Sequence, residues 1–516
     1  MPTTKQTVPS LMLALGLLGT ACSDLVEEVM LPADTDGSET STSGSGDDDG
    51  SSGSEGDGSG PFADDGCMPV TCEETQATCG MISNGCGGAL ECGTCAGTDA
   101  CWAGACVPEE DLQHQRVDNP FAGAEFYVDP DYVAAIEGSI AQAPAELEPA
   151  MRVVQQQPTA VWLDRIGAIE PEEGRGLRDH LDEAIAQQMA AGPGTEMTIA
   201  IVVYDLPNRD CAAFASNGEL VGAEGMDRYE TEYIAEIAEI IGSDPRYQKL
   251  RVVAVIEPDS LPNAVTNLHL PACAEADPIY RQGVAHAIST LSTLDNVYLY
   301  LDIAHSGWLG WDHSDAAAEV YQDVLTMAGG ASLVSGFITN VSNYSTLDEP
   351  FDPEDPAYQS LLEGYYEWNR VVDELAFVDR LRAQFPQHGF VIDTGRNGWP
   401  ADGIPLEGRT HRGNWCNVDG AGIGERPQAN PRPGQYGDSI HAFYWIKPPG
   451  ESDGISDEEA TDPNEEGKSY DEMCGPDAVF RDGATIPTDA LDGAPHAGQW
   501  FHEQFVMLVQ NANPSL

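Results

Sequence analysis

Six short apolar runs in the chain each end on side chains able to move a proton or hold charge. "TIAIVVYD" at 198–205 ends in Asp205 with Asp210 close behind. "LRVVAVIEPD" at 250–259 delivers Glu257 and Asp259, and "NVYLYLD" at 296–302 ends in Asp302 ahead of His305. "LVSGFITN" at 333–340 brings Asn340 and then Asn343, "GFVIDT" at 389–394 brings Asp393 and then Arg396, and "AFYWIKP" at 442–448 brings Lys447 ahead of Glu451 and Asp453. Tyr204, Trp308, Trp311, Trp399 and Trp415 lie close to these ends and are expected to rim them. Carboxylates ringed by aromatic side chains suit acid–base cleavage of a glycosidic bond. One carboxylic acid protonates the leaving oxygen, other groups steady charge or activate water, and indole faces stack on sugar rings. Any single Asp of this kind could equally be a helix cap, but six strand ends of one character argue for a shared cleft. A hard-cation site is the chemical competitor. Against it, there is no compact DxDxDG-like loop, and His305 and the other histidines lack a ligand-like spacing, so neither metal nor cofactor is expected.

These groups need a scaffold that gathers strand ends. A seventh run, "AVWLDRI" at 160–166, completes a series of near-continuous apolar strands separated by stretches of helical period, the pattern of a parallel sheet buried on both faces. Seven strands suffice to curl into a barrel, where reactive groups collect at the carboxyl ends. The expected class is α/β: a distorted seven-stranded parallel β/α barrel, TIM-barrel-like. Among the helices, 228–242 aligns Tyr229, Tyr233, Ile237, Ile240 and Ile241 on one stripe, and 357–385 reads as another amphipathic run.

Composition and cysteines divide the rest of the 516 residues. With 23 Lys and Arg against 86 Asp and Glu, the net charge of −63 excludes nucleic acid as a partner. Residues 1–22 have the order of a lipoprotein-type signal peptide: Lys5, the apolar "LMLALGLLG" at 11–19, then small residues before Cys22, the expected lipid carrier. The chain is therefore expected to be exported, either anchored at an outer surface or secreted. Residues 23–61 are a Ser/Gly/Asp-rich linker that cannot bury enough surface to fold. Residues 62–108 hold eight cysteines, Cys67, Cys72, Cys79, Cys86, Cys92, Cys95, Cys101 and Cys106, which predict a small module stapled by four disulfides of open connectivity. A zinc site there is the weaker alternative, because the module has no histidine. Residues 109–516 form the catalytic domain.

Five blocks carry a resemblance: "VVYDLPNRDCAAFASNGE" at 202–219, "VIEPDSLPNAVTN" at 255–267, "YLDIAHSGWLGW" at 300–311, "NWCN" at 414–417 and "WIKPPGESDG" at 445–454. Together with "NPFAGAEFYVDPD" at 119–131 they resemble the signatures of glycoside hydrolase family 6, cellulases that include the cellobiohydrolases acting from non-reducing ends, and the likeness is greatest to the bacterial exo-acting branch. The resemblance implies inverting hydrolysis of β-1,4-glucosidic bonds. It makes Asp259 the general acid and Asp210 the carboxylate that raises the acid's pKa, with Tyr204 crowding the sugar at the cleavage point and Ser216 helping to hold the water. Asp453 matches a residue once assigned as base, and the choice between Asp453 and Asp210 with Ser216 stays open. Asp302, His305, Trp308, Trp311, Asn340, Trp415, Lys447 and Glu451 are expected to bind substrate. The resemblance also implies disulfides Cys211–Cys273 and Cys416–Cys474. Long segments at 343–369 and 452–474 favour a roofed, exo-acting cleft that releases cellobiose; an endo-acting glucanase is the alternative, and a dead cellulose-binding lipoprotein is disfavoured because all the acids are present. Cellulose and cello-oligosaccharides are the expected partners of a monomer, with a membrane met only through Cys22.

Overall fold

The computed structural model describes residues 69–516 apart from 84–85, 87–88, 193, 312, 402 and 480–482. The segments expected to be a signal peptide and a linker, with Cys22 and Cys67, lie outside the described residues. Every anticipated strand is present: β2 (Val161–Leu163), β3 (Glu196–Val203), β4 (Leu250–Ile256), β5 (Val297–Asp302), β6 (Gly336–Thr339), β7 (Gly389–Asp393) and β9 (Ile440–Tyr444). Their apolar character has the expected cause, since both faces of β4 through β7 are buried.

Two further strands join the same sheet, apart from three two-stranded hairpins elsewhere among the described residues. β1 (Ala124–Phe126) runs parallel to the start of β3, and β8 (Gln428–Ala429) pairs antiparallel with β9. Both are too short to show a period, so the sheet has nine strands rather than seven. Its order is β8-β9-β7-β6-β5-β4-β3-β1, with β2 on the same edge of β3 as β1. The result is a mixed α/β fold whose parallel sheet curls, so that β2 and β9 approach. Thr159 and Trp445 form a parallel bridge there, the Ala160 amide donates to Trp445 O at 3.2 Å, and the Trp162 indole donates to Ile446 O at 2.9 Å.

Register levels the strand ends. Val203 faces Ile256 and Ile256 faces Leu301, so the residues that follow, Tyr204, Glu257 and Asp302, emerge side by side. The stripe Tyr229, Tyr233, Ile237, Ile240 and Ile241 is wholly buried within the helical run of 222–243. The single helix expected over 357–385 is instead two, Gln359–Gly364 and Glu374–Gln384. Glu367 and Trp368 adopt positive φ, and Asp373 caps the second helix by accepting from the Ala376 amide at 2.7 Å.

In the Cys-rich segment, disulfides join Cys72–Cys92, Cys79–Cys101 and Cys95–Cys106, and Cys86 is also disulfide-bonded. Trp102 packs against the main core of the sheet and helices. No helix among the described residues is long and apolar enough to cross a membrane.

Candidate active site

The loop leaving β3 is fixed by one cation. The Arg209 guanidinium donates to Ser216 O at 2.8 Å, Asn217 O at 3.1 Å and Asp164 O at 2.8 Å, and stands 4.1 Å over the Tyr204 ring. This brings three expected residues together. Asp210 Oδ2 accepts from the Tyr204 hydroxyl at 2.7 Å and from the Ser216 hydroxyl. Burial raises the Asp210 pKa, while those two hydrogen bonds and Arg209 pull it back.

The β4 end turns sharply. Glu257 (φ 46°) and Asp259 (φ 66°) both sit in the left-handed region around Pro258, a conformation kept for non-glycine residues where surrounding structure enforces it. Glu257 serves the scaffold, accepting from the Asp205 and Leu206 amides at 3.2 Å each and from the Tyr229 hydroxyl at 2.8 Å. Asp259 leads into the helix Ser260–Thr266 and faces the cavity. Its carboxyl is held well above the usual range by burial first, then by the charges of Asp210 and Asp302. Asp302 lies beneath, where Oδ2 accepts from the Asp259 amide at 3.0 Å and the Ala304 amide at 3.3 Å, and burial lifts its pKa to about 7.

Asp453 has a different environment. Arg396 Nη1 reaches both of its oxygens at 2.8 Å, and Oδ2 also accepts from the Tyr344 hydroxyl at 2.7 Å and the Asn417 amide at 2.8 Å.

A cavity of about 1170 Å³ joins these groups, lined by Tyr204, Asp210, Ser216, Asp259, His305, Trp308, Trp311, Trp415, Lys447, Glu451 and Asp453. The Trp308 indole is oriented by Thr266 Oγ1 at 2.8 Å and that of Trp311 by Gly307 O at 3.1 Å. Burial, with Arg409 and Arg412 nearby, drops the His305 pKa to about 3, so the ring is neutral; its Nδ1 is 3.0 Å from the Ser345 hydroxyl. Lys447 stands 3.3 Å from Glu451 and 5.1 Å over the Trp162 ring.

Not every expected residue reaches this space. Trp399 is not at the rim: it is 1% exposed, packed with Trp445 and Phe505, and its indole donates to Tyr344 O at 2.9 Å. Asn340 and Asp302 are also absent from the cavity lining. The Asn340 amide is spent on Asp393 O and its oxygen on the Ser345 amide, which makes it a brace between strand ends. Asp205 is buried 3.9 Å from the Arg209 guanidinium, and burial raises its pKa to about 9 against the pull of that charge. Conversely, Trp162, Asp164, Asn263, Arg412 and Lys468 line the cavity unannounced. Trp162 had a signal, an aromatic beside a strand-end Asp in "VWLD", masked because strand aromatics are usually core.

The loop over 452–474 lies across the cleft against the β3 loop. Ser469 N donates to Phe214 O at 3.2 Å, and the Phe214 amide donates to Asp471 at 2.8 Å. Buried Lys468 bridges to Asp164 at 2.7 Å and to Glu466 at 2.8 Å. Two groups among the described residues could hold a metal. Cys79, Cys95 and Cys106 are already in disulfides. Asp129, Asp131 and His180 place ligand atoms within 4.8 Å of one another. Asp131, however, is ion-paired with Arg175, and His180 Nδ1 is 2.8 Å from the Tyr127 hydroxyl. That group was hidden in the sequence because 49 residues separate Asp131 from His180.

Loops at the carboxyl edge of a curled parallel sheet thus enclose a buried Asp of raised pKa beside a second carboxylate, with indoles along the walls, and this combination is that of a glycoside hydrolase. The chain belongs to glycosyl hydrolases family 6, whose model matches residues 121–512. It is 44% identical over 434 residues to exoglucanase A of Cellulomonas fimi, a match spanning 77% of this chain and 49% of that protein, so the chain covers about half of that relative. A 1,4-beta-D-glucan cellobiohydrolase C of Emericella nidulans is 39% identical, over 77% of this chain and 79% of its own length. Among solved structures, the catalytic domain of Cellulomonas fimi Cel6B matches with a TM-score of 0.71 and 42% identity, over 78% of this chain and 97% of that domain. Cellobiohydrolase II (Cel6A) of Humicola insolens, in complex with glucose and cellotetraose, matches at 0.64 and 35%, over 77% and 100%.

Proposed function

We propose that the chain cuts β-1,4-glucosidic bonds of cellulose with inversion, releasing cellobiose from non-reducing ends. The observation carrying this is the buried Asp259 at the cavity wall, beside Asp210 and over Asp302, where burial and the charges of those two carboxylates raise its pKa. A general acid must hold its proton until the leaving oxygen takes it. In this reading Asp259 protonates the glycosidic oxygen, and Tyr204 and the indoles of Trp162, Trp308, Trp311 and Trp415 position the glucan.

Inversion requires a water on the opposite face, for which acid and base stand roughly 6.5–9.5 Å apart. Asp453 is a poor base, because a guanidinium already neutralises it and four hydrogen bonds occupy its oxygens. Asp210 with Ser216 suits the role better: the hydroxyl can pass the water's proton to the carboxylate that it already touches. Exo action is supported by the Lys468–Asp164 bridge, which holds the 452–474 loop down. The bridge at Thr159–Trp445 supports reading β2 to β7 with β9 as a distorted seven-stranded barrel. Export with a lipid at Cys22 is the reading that the N-terminal residues support.

The test is digestion of phosphoric-acid-swollen cellulose. Asp259→Asn is expected to abolish release of sugar, a loss of about 10²–10⁴-fold or more, while cellotetraose still binds. In the wild type, soluble cellobiose should far outweigh new reducing ends on the insoluble chains. A mainly insoluble yield overturns exo action, and an active Asp259→Asn overturns the acid.

A further inference from the structure

Trp368 stands apart from the other tryptophans. It is 54% exposed, and its φ of 70° lies in the left-handed region that bulky residues avoid. Its neighbours on both sides are held tightly. Tyr366 is fully buried among Phe351, Leu362 and Val372, under the Arg412 guanidinium at 4.7 Å. The Asn369 side chain donates to Ser306 O at 2.9 Å and accepts from the Val371 amide at 2.9 Å. The main chain between them is tied down as well, with Trp368 N on Leu362 O at 2.8 Å and Asn369 N on Tyr366 O at 2.7 Å. A large indole is therefore turned out to solvent from a rigid base, with no apolar cluster to receive it.

The base adjoins the cleft on two sides. Ser306, which Asn369 grips, opens the loop that carries Trp308 and Trp311 along the cavity wall. Arg412, which covers Tyr366, lines the same cavity, and its neighbour His411 pairs with Glu367 at 3.9 Å. The exposed indole thus rises from a stretch of chain tied on one side to the loop of Trp308 and Trp311 and on the other to Arg412.

We propose that Trp368 is a further stacking platform for a β-1,4-glucan chain, engaging sugar rings that lie outside the cavity. This rests on the reading of the cleft as a glucan site. A pyranose presents an apolar face of C–H groups, and an indole, with only two side-chain torsions to fix and a main chain already tied down, stacks on it at small entropic cost. Short oligosaccharides that fit within the cavity never meet this ring, whereas long chains do. Trp368 should thus separate the two kinds of substrate.

The experiment compares the wild type with Trp368→Ala and Trp368→Phe on cellotetraose and on insoluble cellulose. Adsorption to the same cellulose is measured in an Asp259→Asn background. Trp368→Ala is expected to leave kcat/KM on cellotetraose within about twofold of the wild type and to weaken cellulose adsorption and turnover about three- to tenfold. Trp368→Phe should recover most of that loss. Unchanged adsorption, or an equal loss on both substrates, overturns the proposal. A wild type inactive on both glucans overturns the functional reading instead, while the adsorption comparison still reports on Trp368.

Discussion

Arg396 Nη1 lies 2.8 Å from each carboxylate oxygen of Asp453, and both side chains are almost fully buried. A carboxylate clamped in this way holds the loop around Asn417 and the charge of Arg396, so removing it leaves a buried guanidinium unpaired. Asp453→Ala is expected to destabilise the fold by about 3–5 kcal/mol. Urea unfolding followed by tryptophan fluorescence measures this, and a loss below about 1 kcal/mol would show that the clamp contributes little.

If Asp453 anchors and Asp210 receives the water's proton, the Ser216 hydroxyl carries it from the water to Asp210. Ser216→Ala should lower kcat on cellotetraose about 10- to 100-fold with little change in KM or thermal midpoint, the mark of an interaction made in the transition state. Full activity in Ser216→Ala rejects the relay.

Asp210 and Asp259 are coupled through charge, which gives a pH signature. As the proposed general acid, Asp259 works only while protonated, so kcat/KM is expected to fall as pH rises through its raised pKa. Removing the Asp210 charge stabilises ionised Asp259 and lowers that pKa. Asp210→Asn should therefore lose rate by about 10²-fold or more, and the alkaline limb of its residual profile should move to lower pH. An unmoved or raised limb contradicts the coupling.

Much of this architecture was legible in the sequence because fully buried parallel strands must be continuously apolar, as β4 and β5 are. That Asp259 and Asp210 meet at one cavity was legible too, since both lie in long blocks whose order resembles that of the family. Pattern fails where length or distance defeats it. β1 and β8 are only three and two residues long, and the break in 357–385 depends on positive φ at Glu367 and Trp368. Strand-end position alone also misled: Asn340 and Trp399 sit at strand ends and are spent on backbone partners. Lys468 closes the cleft through Asp164, 304 residues away, a pairing that no local spacing announces.

Asp302 provides a stability test. Its pKa is raised to about 7 in the fold by burial, against an ordinary value near 3.8. Between those values the unfolded chain has released the proton that the folded chain keeps. The folded state then binds more protons, and this residue's contribution, fully present below about pH 3.9, is lost as pH rises toward 7. Asp302→Asn, which keeps an oxygen for the Asp259 and Ala304 amides, should flatten the decline in thermal midpoint between pH 4 and pH 7. Parallel wild-type and variant curves would assign that decline to other groups.

The 452–474 segment is held over the cleft by hydrogen bonds to the β3 loop and by ion pairs at the β2 end, among which Lys468 is the most buried. Lys468 is 4% exposed at its side chain, and its ammonium meets Asp164 at 2.7 Å and Glu466 at 2.8 Å while donating to Ala497 O at 3.1 Å. Lys468, Arg209 and Arg165 together overcome the burial of Asp164 and hold its pKa down at about 2, so the bridge persists through the working range and fails only in strong acid. Lys468 is the one Lys or Arg of the acidic segment 452–474, and it is joined at the β2 end by Arg165, which stands 3.2 Å from Glu466 of the same segment. Lys468→Ala should cost only about 1–3 kcal/mol in stability, because Arg165 remains 2.8 Å from Asp164. Its larger effect is on cutting mode: with the loop released, chains enter from the side, and the share of new reducing ends on insoluble cellulose should rise severalfold at near-constant cellotetraose turnover. If that share stays at the wild-type level while the loop becomes protease-sensitive, the roof does not set exo action.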